Sequence, residues 1–262
     1  MNILAEIFAH KRIEVAEQQA QMPLAEVRAA AEAARPALDF VAALRRPAEA
    51  KPRLIAEIKR ASPSRGLLAP IPDPTALAQI YIDNGAAAIS VLTDSHYFQG
   101  SLDDLRAVAG MKQRVPLLRK DFLCDPYQVY QARAAGADAV LLIAASLDET
   151  ELGDLHALAS ELGLAALVEV HDENELEKAF AACNPGLVGV NNRNLRDFSV
   201  RLETTLALRA LVPYGVCMVA ESGIHTAADV ERLREAGVDA ILVGEALVTA
   251  PDPATKVRSL AR

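Results

Sequence analysis

Residues 54–59 read Leu54-Ile55-Ala56-Glu57-Ile58-Lys59, an apolar run that ends in a carboxylate and an ammonium two positions apart. Successive side chains of a strand point to opposite faces, so Glu57 and Lys59 share one face. The pattern recurs downstream. Leu117-Leu118-Arg119-Lys120 ends in a lysine and Leu167-Val168-Glu169 in a glutamate, and Val188-Gly189-Val190-Asn191-Asn192-Arg193 puts Asn191 and Arg193 on one face. Charge at the ends of several buried strands is costly without a task. Together these segments read as a catalytic floor.

Working outward, apolar runs at 53–59, 87–93, 116–120, 139–144, 165–170, 187–191, 217–221 and 240–243 alternate with helical patterns. The helices are expected to start near Pro74, Leu102, Pro126, Glu149, Glu173, Leu202, Ala227 and Pro253. Asn84-Gly85, Ala135-Gly136 and Ala236-Gly237 supply the glycine that a left-handed helix end requires, and Asp172 and Thr226 suit N-caps. Eight β-then-α units with nearly continuous apolar strands predict an α/β fold, a closed (β/α)8 TIM barrel. An open doubly wound sheet shares the alternation, but no Gly-x-Gly-x-x-Gly follows the first strand. Residues 1–52 stand outside the count as a helical N-terminal extension. Ile3, Leu4, Ile7 and Phe8 pair at i,i+4 spacing, and the simplest role is a cap over one barrel mouth. Residues 1–262 then form a single barrel domain.

The bulk properties exclude several classes. Net charge is −8, and no polybasic run or aromatic-rich strand offers a nucleic-acid platform. No apolar run reaches the length of a membrane span, and Glu6, Lys11 and Arg12 interrupt any signal-peptide pattern. Cys124, Cys183 and Cys217 are odd in number and lack metal-ligand spacing, while His10, His96, His156 and His225 are scattered. Free thiols in a cytoplasmic protein and no metal are expected. Oligomeric state is not written in the chain; a monomer is the simplest expectation, with a weak homo-oligomer as the alternative.

In such barrels the C-terminal strand ends and the loops beyond them build the site. That end would gather Glu57, Lys59, Lys120, Glu169, Asn191 and Arg193. Strand seven ends Ala220-Glu221-Ser222-Gly223 and strand eight Val243-Gly244-Glu245. Ser222, Gly223 and Gly244 fall at the usual phosphate position, where glycine lets backbone N–H groups approach an anion. Each residue has a plainer reading. Glu57 and Lys59 could be a structural ion pair, Lys120 beside Asp121 a solvated strand end, His171 a rim histidine, and Arg193 a helix-capping cation. Glu169, between Val168 and Val170, resists such a reading.

The chain resembles the indole-3-glycerol phosphate synthase family. The matching strings are Ile55-Ala56-Glu57-Ile58-Lys59-Arg60-Ala61-Ser62-Pro63-Ser64, Leu92-Thr93-Asp94, Phe98-Gln99-Gly100-Ser101, Leu118-Arg119-Lys120-Asp121-Phe122 and Asp125-Pro126-Tyr127-Gln128. They continue through Leu167-Val168-Glu169-Val170-His171, Gly189-Val190-Asn191-Asn192-Arg193-Asn194-Leu195 and Glu221-Ser222-Gly223-Ile224. The resemblance covers essentially the whole chain, and no second catalytic domain is expected after the eighth helix.

It implies ring closure of 1-(2-carboxyphenylamino)-1-deoxyribulose 5-phosphate to indole-3-glycerol phosphate, with loss of carbon dioxide and water. No cofactor is implied, because ring closure itself gives decarboxylation its electron sink. Lys120 is then the general acid on the attacked carbonyl, and Glu169, helped by Glu57, the group that stabilises positive charge and takes a proton. Lys59 anchors the anionic substrate or serves as acid for dehydration. Asn191 holds substrate hydroxyls or a catalytic side chain, and Arg193 a carboxylate or Glu169. Phe122 would wall the aromatic ring, and Ser62 lies in the loop after strand one, with Gly66 a hinge for closure. Glu245 cannot donate to phosphate when ionised and is expected to point away. Two alternatives stay open: another phosphate-binding barrel, such as an isomerase, and a non-catalytic phosphate-binding scaffold.

Overall fold

The computed structural model describes residues 3–194 and 198–262, so Leu195 of the motif above lies outside the described residues. Helices α1 (Ile3–Gln21), α2 (Leu24–Ala33) and α3 (Phe40–Leu44) precede the first strand. Eight barrel strands follow: β1 (Arg53–Ile58), β2 (Ala88–Leu92), β3 (Leu117–Lys120) and β4 (Ala139–Ile143). The second half is β5 (Ala165–Val170), β6 (Leu187–Asn191), β7 (Cys217–Glu221) and β8 (Ala240–Val243). All pair in parallel with their sequence neighbours, and β8 returns to β1 to close the ring. Every residue of β2, β4, β7 and β8 is buried, because the barrel interior covers one face and the helices the other.

The outer helices are α4 (Pro74–Asp83), α5 (Leu102–Ala109), α6 (Pro126–Ala134), α7 (Glu149–Glu161), α8 (Glu173–Cys183), α9 (Glu203–Arg209), α10 (Ala227–Glu235) and α12 (Pro253–Ala261). Their starts follow from local chemistry. Asp73-Pro74, Asp125-Pro126 and Asp252-Pro253 each combine a carboxylate that accepts from the first-turn N–H groups with a proline preset for helix. Thr226 and Asp172 cap α10 and α8 as expected. Gly85, Gly136 and Gly237 end α4, α6 and α10 at φ +114°, +87° and +78°.

Two elements differ from the sequence reading. The segment after β1 is a short antiparallel hairpin, Ala61–Ser62 against Gly66–Leu67, where an open loop was expected. Gly66, at φ +65° with open space around it, turns the hairpin. After β8 a one-turn helix, α11 (Glu245–Val248), precedes α12.

The extension is tied into the barrel by charge. Lys11 is fully buried, its ammonium 2.8 Å from Asp94, 3.0 Å from Asp121 and 2.8 Å from Glu14. Asp94 follows β2 and Asp121 follows β3, so α1 supplies the cation that neutralises two strand-end carboxylates. Arg119 supports the same cluster, donating to Asp121 at 2.9 Å and to Thr93 at 3.1 Å. Burial works against ionising Asp121, yet Arg119, Lys11 and the hydrogen bonds from Thr93 and Phe122 hold it down at about 2. Leu4 and Phe8 join the barrel's apolar cluster. Because Ile3, Leu4 and Ile7 also line the cavity described next, α1 borders the site as well as capping the mouth.

Candidate active site

A cavity of about 340 Å³ opens at the C-terminal ends of the strands. Its lining includes every residue assigned from sequence to catalysis or to substrate and phosphate binding: Glu57, Lys59, Ser62, Lys120, Phe122, Glu169, Asn191, Arg193, Ser222, Gly223 and Gly244. Strand register explains the meeting. Glu169 pairs with Gly189 across β5 and β6, Asn191 with Glu221 across β6 and β7, and Lys120 with Leu92 across β2 and β3.

Lys120 is the hub. Its Nζ lies 3.0 Å from Glu169 Oε2 and 3.5 Å from Glu221 Oε2. Asn191 Nδ2 donates to Glu169 Oε1 at 3.2 Å, and Asn191 Oδ1 accepts from the Arg193 backbone N–H at 3.0 Å. Lys59 Nζ forms a 2.8 Å ion pair with Glu57 Oε1, while Ser90 donates to the other oxygen at 3.4 Å. The structural pairing and the site are therefore the same residues, and the plainer reading of Glu57 and Lys59 does not compete with function.

Two glycines make this floor possible. A Cβ at Gly189 would collide with Glu221 Oε1, and one at Gly244 with Glu57 Oε1. Gly244 thus serves Glu57 in addition to any anion at the strand end. At the end of β7, Ser222 and Gly223 both sit in the left-handed region, at φ +65° and +76°. Asn192 holds that turn, donating to the carbonyls of Glu221 at 3.0 Å and Ser222 at 3.2 Å while accepting from Thr205. A non-glycine residue stays in such a conformation where surrounding bonds over-determine it.

Two rim residues, Glu245 and Arg193, lie close to one another. Glu245 belongs to the cavity lining, and its carboxylate lies 3.2 Å from Arg65 and 3.9 Å from Arg193. Arg193 accordingly faces Glu245, and among the described residues it makes no ion pair with Glu169. On the opposite wall, Phe122 packs between Phe8 and Phe98 at ring centroid distances of 5.8 Å each. The buried Ser62 hydroxyl has no hydrogen-bond partner among the described residues.

The electrostatics separate the titratable groups. Burial opposes charge on Lys120, but Glu169, Glu221 and Glu57 outweigh it and keep the ammonium well above its ordinary value. Burial likewise opposes ionised Glu169, yet Lys120, His171 and hydrogen bonds from Asn191 and Lys120 hold it below the usual carboxylate range. Glu221 goes the other way. Burial raises it, Lys120 pulls it down, and Glu169 and Glu57 push it above the usual range. Two neighbouring carboxyls whose hold on a proton is pushed in opposite directions suit an acid–base arrangement.

Glu221 is the functional candidate that sequence reasoning passed over. In the sequence it precedes the more conspicuous Ser222-Gly223, although its place at the end of an apolar strand matches that of Glu169. Lys11 was also missed; in a helix rich in polar residues, nothing marks one lysine as buried. Among the described residues no cluster of three or more metal-ligating side chains occurs.

Comparison with known proteins places this geometry. Residues 4–260 match the family model described as indole-3-glycerol phosphate synthase. The chain is 54% identical over 265 residues to the indole-3-glycerol phosphate synthase of Roseiflexus sp. (strain RS-1), covering 98% of this chain and 97% of the relative. It is 52% identical to that of Verminephrobacter eiseniae (strain EF01-2), with 96% of each chain covered. The fold alone is shared with 3-hexulose-6-phosphate synthase from Salmonella typhimurium, at a TM-score of 0.65 and 16% identity over 80% of this chain and 96% of that one. Family model and relatives agree along nearly the full length, and the chain belongs to the indole-3-glycerol phosphate synthase family.

Proposed function

We propose that this chain closes the indole ring of tryptophan biosynthesis, converting 1-(2-carboxyphenylamino)-1-deoxyribulose 5-phosphate to indole-3-glycerol phosphate with release of carbon dioxide and water. The observation that carries the division of labour is Lys120 poised between Glu169 and Glu221. Ring closure needs a proton on the attacked carbonyl, and Lys120, a protonated amine on the cavity floor, supplies it. The carbon bearing the carboxylate becomes tetrahedral, positive charge develops on nitrogen, and carbon dioxide leaves. Glu169 stabilises that charge, which the electrons of the broken bond to the carboxylate cancel, and after water has left it takes a proton from the methylene carbon beside nitrogen to complete the indole; Glu57 assists through its field. Dehydration needs a second proton at the leaving hydroxyl. Lys59 and the neutral carboxyl of Glu221 are the two donors placed for it.

Binding follows from the rest of the lining. Ser222, Gly223 and Gly244 offer backbone N–H groups and a hydroxyl to the phosphate, Arg193 and Lys59 meet the carboxylate, and Phe122 with Phe98 walls the aromatic ring. Asn191 positions Glu169. These local cations hold an anionic substrate in a molecule of net charge −8. The buried Lys11 cluster supports reading barrel and extension as one domain. Free Cys124, Cys183 and Cys217 suit a cytoplasmic enzyme, which we take to act as a monomer. Among the described residues no helix is long and apolar enough to cross a membrane.

The test is indole fluorescence from the carboxyphenylamino substrate, measured for the native chain and Lys120→Met. Native turnover with a loss of about 100-fold or more in the variant supports the assignment. Near-normal turnover in Lys120→Met would move the acid role, with Lys59 next in line.

A further inference from the structure

His171 lies immediately beyond β5, and its side chain is 13% exposed. Nδ1 sits 3.0 Å from Glu175 Oε2 on α8, and Nε2 sits 3.6 Å from Glu169 Oε1. Glu175 is fixed in place: the same oxygen accepts from the His171 backbone N–H at 2.8 Å, and its own N–H donates to Asp172 at 2.9 Å. The buried Nε2 has no hydrogen-bond partner among the described residues. A neutral imidazole carries one N–H and cannot serve two carboxylates. With the proton on Nδ1, Nε2 would present a lone pair toward the anionic oxygen of Glu169. Two protons satisfy both sides.

We propose that His171 works as an imidazolium bridge between Glu169 and Glu175, a positioning residue that keeps Glu169 ionised while Lys120 gives up its proton. The inference rests on reading Glu169 as the base, and its logic is a shared counter-charge. Glu169 Oε2 is paired to Lys120 at 3.0 Å. Once Lys120 protonates the substrate carbonyl, Glu169 loses that cation and would compete for a proton that is needed elsewhere. His171, on the opposite oxygen, keeps a positive charge in place at that moment. Acid and base therefore keep separate roles.

The groups facing His171 are Glu169 on its own strand, Glu175 on α8 and Glu221 on β7, with Lys120 behind Glu169 and the Asn191 amide on the same oxygen. Burial alone would strip the ring of its proton, but Glu175, Glu169 and Glu221 reverse that and raise His171 above the ordinary histidine value. The imidazolium is thus present below the raised value and lost as pH climbs through it. Turnover should fall across the same window.

The experiment combines nitrogen NMR of the 15N-histidine-labelled native chain with pH profiles of His171→Gln and Glu169→Gln. Both ring nitrogens of His171 should be protonated at neutral pH and titrate above the free-histidine value. In His171→Gln, turnover should drop about tenfold, the low end for removing an opposite charge beside an ionised group. The Michaelis constant should stay within about twofold, as for a step beyond uniform binding, and the alkaline limb of turnover should vanish. A His171 found neutral at pH 7, or a His171→Gln profile superposing on the native one while Glu169→Gln is crippled, overturns the bridge and leaves Glu169 as base. Normal turnover in Glu169→Gln overturns the base assignment and the bridge with it. Should His171→Gln fail to fold, the titration of the native chain decides.

Discussion

Lys120 Nζ stands between two buried carboxyl groups, 3.0 Å from Glu169 and 3.5 Å from Glu221, so one ammonium is shared by a pair whose hold on a proton diverges. The site is therefore a coupled unit, and removing any member changes the protonation of the others.

For Lys120→Met the coupling predicts a stability effect that a lone solvated lysine would not have. Glu169 and Glu221 are left buried without their cation, which costs on the order of 3–5 kcal/mol when both are ionised. The carboxyls can escape by taking up protons, so the deficit should shrink as pH falls. Denaturation midpoints at pH 8 and pH 5.5 check this: the gap from the native protein should be larger at pH 8.

Glu221→Gln should stabilise the fold while harming the reaction. The folded protein holds the Glu221 carboxyl above the usual range, whereas the unfolded chain ionises it normally. Native stability thus falls as pH rises from the ordinary carboxylate value through the raised one. Glutamine removes that loss, so the variant's midpoint should exceed the native one at pH 8 and match it near pH 4. Turnover should drop by at least about tenfold if Glu221 donates a proton.

Gly189→Ala and Gly244→Ala should each damage one carboxylate by displacement. The new methyl meets Glu221 in the first case and Glu57 in the second. Turnover should fall in both, and in Gly244→Ala the Michaelis constant should also rise because the same backbone faces the phosphate end. The place of Gly244 at the phosphate position accounts for a binding defect; the collision with Glu57 adds a chemical one. A crystal structure of either variant with an undisturbed carboxylate would contradict the mechanism.

Lys11→Met removes the cation shared by Asp94 and Asp121. Arg119 still serves Asp121, but Asp94 Oδ2 is left buried without a partner, and a loss of roughly 3–5 kcal/mol is expected for breaking such a cluster. Hydrogen exchange should show α1 opening far more readily than the barrel strands. Protection of α1 equal to that in the native protein would contradict its anchoring by charge.

The barrel was legible because a short apolar run opens each of the eight units and several helices add an Asp-Pro or Thr start or a glycine end. Glu57, Lys59, Lys120 and Glu169 were legible for the opposite reason, as charges where apolar strand residues belong. Three features depended on contacts across the fold. Lys11 looks like any helical lysine until Asp94 and Asp121 are brought to it. The role of Gly189 appears only once Glu221 occupies the space of its missing side chain. The partner of Glu245 appears only once the hairpin after β1 delivers Arg65 to it.

The central claim is that Glu169 is the base of ring closure. Its most direct test is turnover of Glu169→Gln at saturating substrate, with binding titrated separately so that weakened affinity cannot imitate a chemical defect. Binding should persist while turnover falls by at least about 100-fold, the scale of lost acid–base catalysis. Normal binding with normal turnover would make Glu169 a structural partner of Lys120 and leave the mechanism without its base.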